Sequence, residues 1–252
     1  MPDLRRILSL AVLTFCALIA HAQQALRIAA AADLQPILPP ILAQFTTQTG
    51  VHAVASYRAS AALATAIING APFDLFLAAD LSFPQKVIAA GLATESAPIP
   101  YARGTLVLFA RNDSRFNPLS IKALSDPSVK SLAIANPDHA PYGRAAVAAL
   151  QHLGLYDALK PRLVIAENIG QAAQYVSSGN ADLGLISLTS ALALRGTGRY
   201  IPIPSQNYPP IVQGAIVVRN STNEQAAHKF LDFLASPVIV RQLQAGGLSP
   251  AQ

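Results

Sequence analysis

Tryptophan is absent from this chain of 252 residues, and cysteine occurs once, at Cys16. A lone cysteine closes no internal disulfide, so stability has to come from an apolar core. Charge is sparse as well, with 12% of residues ionisable as Asp, Glu, Lys or Arg. The basic residues are scattered and no aromatic platform lies among them, which argues against nucleic-acid binding. The five histidines include no pair at metal-ligand spacing, so no metal site is expected. The sequence lacks G-x-S-x-G, G-x-G-x-x-G and G-x-x-x-x-G-K-[ST]. It therefore offers no serine elbow and no glycine-rich phosphate cradle.

What the chain has in quantity is apolar residues, 52% of the total. Arg5 and Arg6 precede an apolar run from Ile7 to Ile19 that ends in Ala20-His21-Ala22. Charged start, short apolar middle and small-residue end predict a secretory signal peptide over 1–22, cleaved after Ala22, and a periplasmic location. The run is short for a membrane span, and Phe15 before Cys16 argues against a lipid anchor. Removing the segment takes Cys16 with it and leaves about 230 residues, enough for one large or two small domains. Without Asp3, Arg5 and Arg6 the chain keeps 16 basic and 12 acidic residues. The weakly positive balance would help gather an anion without identifying one.

Short apolar runs alternate with helical patterns. Strands are expected at 26–32, 51–57, 74–79, 105–110, 131–135, 163–166, 182–186 and 211–219. Helices are expected at 39–49, 60–69, 143–153, 170–178 and 224–235, the last stopped by Pro237. This alternation predicts an α/β fold with parallel sheets covered on both faces. No flexible linker interrupts it, so two lobes would be joined by ordered crossings near 101–109 and 211–218. The expected division is 23–104 for the first lobe, 105–213 for the second, and 214–252 returning to the first.

Ligands of open α/β sheets bind where strands lead into helices. Helix N-termini carry free N–H groups and partial positive charge, so several aimed at one point hold an anion without lysine or arginine. Four junctions fit: Ala32-Asp33, Ala59-Ser60, Tyr142-Gly143 and Ile169-Gly170. Singly, each has a plain structural reading, with Asp33 and Ser60 as helix caps and the glycines as turns. The segment NPDHAPYGRAA at 136–146 reads as a polar turn held by Pro137 and Pro141.

Several segments, in order, resemble the periplasmic molybdate-binding proteins of ABC transporters: AAAADL at 29–34, YRASAALATAI at 57–67, GAPFDLFLAAD at 70–80, NPDHAPYGRAA at 136–146, and AENIGQAAQYVSSGNADLGLI at 166–186. The resemblance implies a two-lobed periplasmic-binding-protein fold of type II, with a hinge closing over molybdate or tungstate. It further implies a monomer with no catalytic step and no cofactor, which hands its ligand to a membrane permease. Carried over by position, Asp33 and Ser60 would serve the first lobe. Tyr142 and Ile169 would serve the second, chiefly through backbone N–H. A fifth donor, a tyrosine hydroxyl in some relatives, falls near Ser187 or Thr189.

Two positions depart from that family pattern. Ser or Asn often stands where this chain has Asp33, and Gly where it has Arg58. An ionised Asp only accepts hydrogen bonds, and an anion 4 Å from it would be repelled by about 4 kcal/mol under partial screening. Two arrangements resolve the conflict: Asp33 turns away to cap the helix, or Arg58 acts as its charge partner. Pro36, Pro39 and Pro40 leave the start of the first helix open, and a late start would weaken the cap. The rivals are a receptor for another oxyanion such as sulfate, and a secreted α/β hydrolase using Ser60 or Ser187 with His139.

Overall fold

The computed structural model describes residues 24–251, so the signal-peptide expectation lies outside the described residues. Among the described residues, ten strands form two five-stranded sheets. In the first, β1 (Leu26–Ala31) lies between β2 (Ala53–Arg58) and β3 (Leu75–Ala78), all parallel. Strands β4 (Ile99–Gly104) and β5 (Leu106–Arg111) follow one another but belong to different sheets. In the second sheet, β6 (Leu132–Ala135), β7 (Leu163–Ala166) and β8 (Leu183–Ser187) are parallel, while β5 runs antiparallel to β8 and to β9 (Gly198–Pro202). The final strand β10 (Ile211–Val217) returns to the first sheet, antiparallel to both β3 and β4.

The chain thus crosses between lobes twice, at Thr105 and over 203–210. The boundary expected at 213/214 falls inside β10, where Ile211, Val212 and Gln213 already pair with β4.

Strand alternation divides the first core in two. Leu26, Ile28, Leu75, Leu77, Ala215 and Val217 pack on one face of the sheet, and Ala29, Phe76, Ala78 and Ile216 on the other. A period of two can serve both faces because the sheet is covered on both. Helix α1 (Leu38–Thr49) covers the first face with α8 (Glu224–Leu234) and α9 (Pro237–Ala245), where Phe45 and Phe230 meet edge to face at 5.0 Å. Helices α2 (Ser60–Ile68) and α3 (Ser82–Ala89) cover the other. The second lobe has α4 (Pro141–His152), α5 (Tyr156–Leu159), α6 (Ile169–Ser177) and α7 (Leu188–Ala193).

Helices α3, α5, α7 and α9 lie outside the helices expected from sequence. Pro237 does not merely end α8; it opens α9 from its first turn, where a missing N–H costs nothing and φ is already helical. In α3, Pro84 likewise stands in a first turn.

Candidate functional site

Five strand-to-helix junctions meet around one cavity of about 10 Å³. Ala31, Ala32 and Asp33 reach it from the end of β1, Arg58, Ala59 and Ser60 from β2, and Ala79 from just beyond β3. The second lobe brings Ala140, Pro141 and Tyr142 at the start of α4, and Asn168 and Ile169 at the start of α6. Ser60, Tyr142 and Ile169 all lie in the first turns of helices, where backbone N–H groups have no intrahelical acceptor. Three helix starts therefore turn positive ends toward one point. The alanines let the backbone come close to the cavity.

Ser60 is buried, and its hydroxyl oxygen accepts the Ala79 N–H at 3.0 Å. That bond leaves the hydroxyl proton available to a ligand. Ser60 is not the cap expected, because Ala59 holds the cap position and Ser60 is the first helical residue.

Asp33 meets neither arrangement considered for it. Helix α1 starts only at Leu38, and residues 32–34 form a separate 3-10 turn without a side-chain cap. Arg58 lines the cavity but is exposed, and among the described residues it forms no ion pair with Asp33. A guanidinium on a long flexible stem stays hydrated at the rim. Instead, the fully buried Asp33 carboxylate accepts the Tyr142 hydroxyl at 3.1 Å and the Gln213 side-chain amide, both on Oδ2. Its Oδ1 has no protein partner. Burial pushes the Asp33 carboxyl up to about 6, against the opposing pull of the Gln213 and Tyr142 hydrogen bonds.

Ser187 does not line this cavity. Its hydroxyl caps α7, accepting the Ser190 N–H at 3.2 Å, and bonds Thr189 and Ser190 side chains at 2.9 Å. A hydroxyl committed to its own helix is not free for a ligand. Thr189 reaches across the lobes instead, donating to the Asp33 carbonyl at 2.7 Å.

Further contacts hold the lobes together. The Ala61 N–H donates to the His139 carbonyl at 3.2 Å. Arg144 on α4 pairs with Asp80 beyond β3, and its guanidinium lies 5.2 Å from the Phe83 ring centre. Two glycines permit close packing here, Gly143 within the second lobe and Gly104 between the lobes. A Cβ on Gly143 would stand 2.3 Å from the Ala135 carbonyl oxygen, and one on Gly104 would stand 2.1 Å from the Tyr142 hydroxyl. A larger cavity of about 530 Å³ lies beside the Asp80–Arg144 pair, walled mainly by Leu81, Ala145, Ala148, Pro209 and Pro210. It carries few polar groups, whereas every junction described above converges on the small one.

Asp33, Ser60, Tyr142 and Ile169, expected from sequence, all line the cavity, with Tyr142 expected there chiefly as a backbone donor. Not expected from sequence were Gln213 and the half-buried Tyr101, whose hydroxyl, held well above its ordinary pKa by burial and then by Asp33, donates to the Ala78 carbonyl at 3.3 Å. Gln213 had a signal: it is the one polar side chain in the apolar run IVQGAIVV at 211–218.

Residues 26–249 match the family described as bacterial extracellular solute-binding protein. The chain belongs to that family. It is 34% identical over 209 residues to the molybdate-binding protein ModA of Rhodobacter capsulatus, covering 83% of this chain and 82% of that one. Identity to ModA of Azotobacter vinelandii is 35% over 235 residues, covering 91% and 92%. The solved structure of the Azotobacter vinelandii periplasmic molybdate-binding protein superposes with a TM-score of 0.82 at 32% identity, spanning 90% of this chain and all of that one. The two-lobed α/β architecture is thus that of periplasmic binding proteins. Among the described residues, no group of three or more His, Cys, Asp or Glu is placed to hold a metal ion.

Proposed function

We propose that this protein is the periplasmic receptor of an ABC importer, which captures molybdate or tungstate and delivers it to the membrane permease. One observation carries the reading: three helix N-termini and the Ser60 hydroxyl, drawn from both lobes, surround one small cavity without a lysine. Such donors suit a compact oxyanion, whose charge is spread over oxygens that each accept a hydrogen bond. The ModA relatives, about a third identical over most of their length, support molybdate as the ligand. Binding acts by closing the lobes about the crossings at Thr105 and 203–210, as hinge proteins do. Arg58, at the rim, adds positive charge on the path of an incoming anion. The receptor works as a monomer and without a cofactor.

Sulfate is the rival in the same class, since rigid N–H donors discriminate by the size of the space they enclose. The hydrolase alternative gains no support, because neither Ser60 nor Ser187 is hydrogen-bonded to His139 among the described residues. A thermal-shift panel of molybdate, tungstate, sulfate, phosphate and chromate tests the reading. Molybdate and tungstate should raise Tm most; no rise with any of the five would reject it.

A further inference from the structure

Asp33 sets a problem that the neutral donors do not. It lines the cavity, is fully buried, and keeps one carboxylate oxygen without a partner while the other accepts two hydrogen bonds. An oxyanion entering the cavity would meet a second negative group that is itself fully buried. Ionised, Asp33 can only accept, and so can the oxyanion. Protonated on Oδ1, it would keep the Tyr142 and Gln213 bonds on Oδ2 and turn Oδ1 from an acceptor into a donor.

We infer that Asp33 takes up one proton when the oxyanion binds, so that the receptor captures its ligand together with a proton and binds it through a neutral carboxyl group. The inference rests on the oxyanion reading above and specifies how its site accommodates the charge. In the step, the Asp33 carboxylate gains a proton from solvent, its Oδ1–H donates to an oxygen of the anion, and no bond within the anion breaks. The position of Asp33 between a lobe-two tyrosine and the return strand β10 ties this protonation to the closed arrangement.

The groups packed around Asp33 leave it as the one that titrates near neutrality. From β4 it faces Tyr101, and from α4 Tyr142, and burial raises both hydroxyls well above their ordinary range. Gln213 from β10 and Thr189 from α7 do not ionise. Arg58, at the end of β2, is exposed. Burial already favours the neutral form of Asp33 before any anion arrives.

Calorimetric titration with sodium molybdate at pH 7.5, in PIPES and in Tris, reads the proton directly, because these buffers release very different heats on giving one up. The parent protein should take up about one proton per molybdate, and its affinity should fall about tenfold per pH unit above pH 7. Asp33→Asn should bind with the same heat in both buffers and with an affinity independent of pH. Asp33→Ser provides a second neutral variant should the first fail to fold. Molybdate binding with buffer-independent heat in the parent would overturn the inference, as would undiminished proton uptake in either variant. Failure of the parent and both variants to bind molybdate would overturn the oxyanion reading itself, and this inference with it.

Discussion

The two lobes furnish the cavity in different ways. The second lobe supplies two helix starts, at Tyr142 on α4 and Ile169 on α6, with main-chain N–H groups and a Tyr142 hydroxyl committed to Asp33. The first lobe supplies side chains, the Ser60 hydroxyl, the Asp33 carboxyl and the rim guanidinium of Arg58. Main-chain donors are fixed by the fold and do not depend on the side chain they carry. The first half carries what is particular to this chain, and there a single residue can change the charge of the site.

The largest effect that would sharpen this contrast comes from Asp33. Its carboxyl is raised from the usual 3.8 to about 6 by burial, so the folded state holds a proton that the unfolded chain releases between those values. Stability from this group is therefore fully present below 3.8 and is lost as pH rises through about 6, at a cost of roughly 3 kcal/mol. Asp33→Asn should remove that cost. Urea unfolding at pH 8 should show the variant up to about 3 kcal/mol more stable than the parent, and at pH 4 the two should nearly coincide.

A second-lobe substitution should act through shape rather than charge. Gly143→Ala forces a Cβ onto the Ala135 carbonyl oxygen. The displaced start of α4 should cost about 1–3 kcal/mol of stability, equal at pH 4 and pH 8 in the same unfolding experiment. A pH-dependent loss would break the contrast between the lobes. The smallest effect belongs to the rim. Arg144→Ala removes a cross-lobe pair whose arginine is 43% exposed, and water and salt screen such pairs to about 1 kcal/mol or less. Molybdate affinity measured at low and high salt should converge between this variant and the parent as salt rises.

Much of this was legible in sequence. The alternation of apolar runs and helical patterns gave the α/β class, and the convergence of Asp33, Ser60, Tyr142 and Ile169 followed from the rule that strand ends gather in such sheets. The partners of Asp33 were not legible, because Tyr142 and Gln213 lie 109 and 180 residues away and reach it only through the crossings between lobes. Local patterns also have two readings where physics permits both. Pro237 serves as well to open a helix as to end one, and Ser187 as well to cap α7 as to meet a ligand. Only packing decides between them. Arg58 suggested a charge partner because it stands beside Ser60 where the family often has Gly, yet β2 leaves it exposed, while the buried Asp33 draws on neutral donors.

The central claim is that donors from both lobes enclose one compact oxyanion. Equilibrium titration of the protein with molybdate at pH 7, with sulfate run in parallel, tests it most directly. The account predicts saturation at one molybdate per chain and markedly weaker binding of sulfate. Absence of saturable molybdate binding, or a stoichiometry above one, would contradict it.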